Sequence, residues 1–121
     1  CFAPVQGFSK FGYYNGTGNL ATAPFIYTGF TPAYFLIKMV NSSDSWFIYD
    51  NARSPFNVRG KYLVADGSGT NSNADFCDFL SNGIKIRTTA SALNGNGTEF
   101  IYMAFAAAPL VGTNDIPGNA F

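Results

Sequence analysis

A chain of 121 residues is long enough for one domain with a real core and too short for two. Its seven basic and seven acidic side chains cancel, and charged residues make up only 12%, about half the usual share of a soluble domain, so no net field draws in nucleic acid or an anionic membrane surface. Histidine is absent, which removes the usual general base, the Ser-His-acid and Cys-His arrangements and the commonest zinc ligand.

Short segments rich in Phe, Tyr, Ile and Val alternate with Gly, Asn, Ser and Pro, the pattern of an antiparallel β domain. In chain order, strands are expected at FSKFGYY (8–14), PFIYTGF (24–30), AYFLIKMV (33–40), SWFIYD (45–50), KYLVAD (61–66), DFCDFL (75–80), GIKIRTT (83–89) and EFIYMAFAA (99–107). The reversals between them carry turn chemistry in NGTGN (15–19), DGSGTNSN (66–73), SNG (81–83) and NGNG (94–97), where Asn-Gly and Asp-Gly supply positive φ. In the seventh segment Ile84, Ile86 and Thr88 point one way and Lys85 and Arg87 the other, a half-buried strand. The third and eighth are apolar on both faces apart from Lys38, as in strands covered on both sides by a second sheet or a neighbouring chain. Eight such strands suggest an all-β, antiparallel two-sheet sandwich of jelly-roll or Greek-key type, with a small closed barrel as the competitor.

The sandwich is expected over residues 1–110, followed by an extended tail over 111–121. The apolar run from Phe100 to Val111 is too short for a bilayer-spanning helix and contains Pro109. Cys1 in place of Met fits a processed chain or a piece of a longer one. Cys1 and Cys77 can in principle pair, but a buried small hydrophobe is the plainer reading of each.

Candidate chemistry is sparse. A carboxylate pair of the glycosidase kind would have to come from Asp50, Asp66, Asp75, Asp78 and Glu99, all near strand ends and loops where carboxylates normally meet solvent. The loop DGSGTNSNAD (66–75) gathers oxygen ligands from Asp66, Ser68, Thr70, Asn71 and Asp75 that suit calcium, without the order of an EF-hand. No other metal or cofactor is suggested. Aromatics make up 17%; most must be core, and Trp46, Tyr13 and Tyr14 are the best placed for surface contacts with sugars or proteins.

The ordered set GFSKFGYYNGTGN, PFIYTGFTPAYFLIKMV, WFIYDNAR, YLVADGSGTNSNADFCDFLSNGIKIR and NGTEFIYMAFAAAPLVGTNDIP resembles a domain near the C-terminal end of tail-fibre and related virion proteins of bacteriophages, marine ones especially. The resemblance covers nearly the whole chain. It implies a concanavalin-like β-sandwich, a structural rather than enzymatic role on the surface of an extracellular virion, and partners among its own copies (a trimer or higher oligomer) and other virion proteins. It carries over no catalytic residue and no cofactor. On this reading any contact with a receptor or host surface glycan falls to Tyr14, Asn15, Trp46, Asp66 and Asn71. A carbohydrate-binding module or a capsid decoration protein is the alternative.

Overall fold

A computed structural model describes residues 2–68 and 72–108. All eight expected strands form: β1 (Ser9–Asn15), β2 (Phe25–Tyr27), β3 (Pro32–Met39), β4 (Phe47–Asp50), β5 (Arg59–Val64), β6 (Ser72–Leu80), β7 (Gly83–Ile86) and β8 (Glu99–Ala106), with a single helical turn, α1 (Ser91–Asn94), before the last. Every neighbouring pair is antiparallel, in the order β1-β8-β3-β4-β5-β6-β7-β2. The two layers are therefore parts of one hydrogen-bonded sheet that curls over itself, between the sandwich and the closed barrel. The Phe35 ring of β3 meets the Phe79 ring of β6 edge-on at 6.5 Å. The edge strands β1 and β2 border one cavity of about 360 Å³, lined among others by Gln6, Ser9, Lys10, Tyr27 and Thr28.

Alternation along each strand explains which side faces inward. The inner face holds Phe35, Ile37 and Met39 of β3, Phe100, Tyr102 and Ala104 of β8, Cys77 and Phe79 of β6, Ile84 and Ile86 of β7, and Ile26 of β2, all buried. Across this core Tyr49, Tyr62 and Phe76 pack ring to ring, with centroids 5.3–6.1 Å apart. Arg59, buried at the start of β5, sets its guanidinium 4.9 Å from the Phe79 ring centroid, a contact that offsets part of the cost of burying a cation.

Local hydrogen bonds account for the strands that stop short of expectation. β2 ends at Tyr27 because the Thr28 and Gly29 N–H groups both donate to Asn82 O, and Gly29 turns the chain at φ +80°. β7 ends at Ile86; beyond it, the Thr88 carbonyl accepts from Asn94 Nδ2 at 2.7 Å. Among the described residues no helix is long and apolar enough to cross a membrane. The expected tail over 111–121 lies outside the described residues.

Candidate functional site

The outer face of the sheet carries a continuous apolar row. Pairing places Phe11 of β1, Met103 of β8, Leu36 of β3, Ile48 of β4 and Leu63 of β5 side by side in one row across five strands. The next row is Tyr13, Ile101 and Lys38. Trp46, in the turn that enters β4, closes one end of a groove of about 210 Å³ lined by Phe11, Leu36, Trp46, Ile101, Tyr102 and Met103. At the opposite end Phe105 is ringed by Phe2, Phe8, Phe11 and Tyr34, with centroids 5.9–6.1 Å away.

The cation in these rows, Lys38, is turned aside. Lys38 Nζ donates to Ser42 O at 2.7 Å and Asp44 O at 2.5 Å, which ties the ammonium to the β3–β4 turn. Trp46 is fixed through its backbone, its N–H donating to Asp66 Oδ1 at 3.2 Å and its carbonyl accepting from Ala65 N at 2.9 Å. Trp46 keeps 37% of its surface exposed, while Tyr13, Ile101 and Phe2 keep 68%, 41% and 73%.

The expected contact residues divide. Trp46 and Asp66, twenty positions apart in sequence, meet through that backbone bond. Asn15 is exposed at the end of β1, opposite Glu99. Tyr14 must be corrected: it is buried, stacked on Phe100 at 5.0 Å with its hydroxyl donating to Leu93 O at 2.8 Å, because the β1–β8 register turns it inward and its neighbour Tyr13 outward. Burial pushes the Tyr14 phenol well above its ordinary pKa. Asn71 lies outside the described residues.

The carboxylates have separate occupations. Asp50 pairs with Arg53 at 2.9 Å, Asp78 with Arg87 at 3.1 Å, and Asp66 accepts from Trp46. Asp75 and Glu99 are exposed on β6 and β8. Of the possible calcium ligands in 66–75, Thr70 and Asn71 lie outside the described residues, and no group of three or more Cys, Asp or Glu among the described residues is arranged for a metal. Cys77 is a free thiol on the inner face of β6, where burial raises its pKa; Cys1 lies outside the described residues.

Sequence reasoning by contact loops missed Phe2, Phe11, Leu36, Ile101 and Met103. For Leu36, Ile101 and Met103 the signal was the two-sided apolarity of β3 and β8: the inner side is core, and the outer side is left open among the described residues. An apolar groove beside a bare sheet face can bury apolar surface of a partner.

Compared with known proteins, residues 1–109 match the family described as a domain of unknown function, DUF7483. No curated protein and no solved structure matches the chain. The match spans nearly the whole sequence, and the protein belongs to the DUF7483 family.

Proposed function

We propose that this domain is a structural module of a bacteriophage virion, of the tail-fibre or tail-associated kind, that assembles with copies of itself and holds its loops towards the host. The observation that carries the reading is the five-strand apolar row from Phe11 to Leu63 with the Trp46 groove beside it. Contiguous apolar surface of this kind marks association sites, and each Å² removed from water is worth about 25 cal/mol. The resemblance of the sequence to tail-fibre domains supplies the setting, a virion surface with other virion proteins as neighbours.

Light scattering coupled to size exclusion tests it. The expected mass is that of two or more chains at micromolar concentration, and Ile101→Lys, which sets a charge in the middle of the face, lowers it. A folded monomer with an unaltered Ile101→Lys profile overturns the reading.

A second reading, a sugar-contacting or decoration module, draws on the half-exposed Trp46 ring with the Asp66 carboxylate at its backbone. Trp46→Ala then weakens adsorption or glycan binding while the domain stays folded; a blank glycan array with the assembled protein counts against it.

A further inference from the structure

β1 is the edge of the sheet, and its pairing with β8 determines which of its backbone groups are spoken for. Ala106 N donates to Phe8 O and Gly16 N to Thr98 O, both at 2.8 Å, so the even-numbered positions of β1 turn their N–H and C=O towards β8. The odd-numbered positions face away. Ser9 is satisfied there by Val5, which exchanges two backbone bonds with it at 3.1 and 2.9 Å. Phe11, Tyr13 and Asn15 have no backbone partner on that side among the described residues.

An open edge invites pairing, and proteins usually blunt one with Lys, Pro or a bulge. From Phe11 to Asn15 β1 has none of these: its register with β8 is unbroken, and its only charge is Lys10, one residue before the open stretch. On the outer face of this stretch stand Phe11 and Tyr13, which belong to the apolar rows described above, and the exposed Asn15.

We infer that two copies of this chain join through β1, edge to edge and antiparallel about Tyr13, so that the sheet continues across a two-fold axis. The proposal rests on the self-assembly reading and adds an edge contact to the face described above. The edge is complementary to itself. With Tyr13 opposite Tyr13 of the second copy, Phe11 falls opposite Asn15 and Asn15 opposite Phe11, three facing pairs that exchange about six backbone hydrogen bonds, two for each pair. The same register sets Lys10 opposite Gly16 of the second copy, so the two lysines do not confront each other, and it places the two Tyr13 rings beside one another as a cross-strand aromatic pair.

Three measurements on the full chain separate the outcomes. Light scattering is expected to give an even number of chains, and Tyr13→Pro, which removes the central N–H at an edge position that tolerates proline, halves that mass while the circular dichroism of the fold is retained. Amide exchange is expected to be slow at Phe11, Tyr13 and Asn15 in the assembled protein and to become fast on dilution. A mass of three chains, or an assembly unaffected by Tyr13→Pro but broken by Ile101→Lys, overturns edge pairing and leaves self-assembly through the face standing. A monomer overturns both. Fast exchange at the three amides in an assembled sample also overturns edge pairing. If Tyr13→Pro unfolds the chain, the exchange measurement on the unaltered protein decides.

Discussion

Asn94 shows how much one side chain can organise. Its amide is fully buried, with Oδ1 accepting from Thr17 N at 2.7 Å and Nδ2 donating to Thr88 O at 2.7 Å, so it ties the β1–β2 loop to the segment that follows β7. Asn94→Leu keeps the branching of the side chain and leaves the half-buried Thr17 N–H and Thr88 C=O without their partner, each costing about 1–3 kcal/mol. The expected loss is roughly 2–4 kcal/mol, read as a fall of about 1–2 M in the urea midpoint. Asn94→Asp keeps the acceptor for Thr17 but loses the Nδ2 donor, and is also destabilising; an unchanged midpoint for both variants would show the network to be unimportant. Tyr14 belongs at the same scale. Tyr14→Phe keeps the stacking on Phe100 and loses only the bond to Leu93 O, so it is expected to cost about 1 kcal/mol.

At the scale of the element, β2 is the weakest strand, three residues held on one side by β7. A Cβ at Gly83 would lie 2.2 Å from Ile26 O, a contact with backbone that has no flexible end to move aside. Gly83→Ala is therefore expected to push β2 off β7 at a cost of about 1–3 kcal/mol. Amide exchange reads it locally: Thr28 and Ile86, whose N–H groups bond to Asn82 O and Pro24 O, lose protection, while the β3–β8 amides keep theirs. Equal protection in both places would mean that the sheet absorbs the methyl group. The eight strands were legible because each carries its own alternation and is bounded by its own turn residues. Their order was not, since β1 finds β8 across more than eighty intervening residues and only packing selects that pair. The same limit explains the aromatic pair: Tyr13 and Tyr14 are chemically alike, and the register with β8, not composition, decides which one is core. It also explains the outer face. Two apolar sides on β3 and β8 read alike in sequence, whether the second side is covered by the chain itself or left for a partner. Trp46 and Asp66 were each recognisable as candidates, but their meeting required β4 and β5 to pair.

For the molecule as a whole, the interior sets an alkaline limit on stability. Tyr14, Tyr49 and Tyr102 lie in the core with Cys77, and burial raises the pKa of all four, because a phenolate or thiolate there would lose its hydration. In the unfolded chain the thiol releases its proton near pH 8.5 and the phenols near pH 10, whereas the folded chain holds these protons to higher pH. Above those values the unfolded state binds fewer protons than the native one, so stability is complete below about pH 8.5 and falls as pH rises. Tyr14, Tyr49 and Cys77, the most strongly shifted, each cost about 1.4 kcal/mol for every pH unit beyond the unfolded pKa. By about pH 11 Tyr14, Tyr49 and Cys77 together remove roughly 6 kcal/mol, comparable with the whole stability of a small domain, and Tyr102 acts in the same direction. Cooperative unfolding is therefore expected near pH 11, with the phenolate absorbance of the buried tyrosines appearing together with the loss of β circular dichroism. Titration of all seven tyrosines with the fold intact would contradict the placement of these three in the core. Added salt gives little protection, because desolvation is the leading cause of these shifts and screening acts mainly between exposed charges.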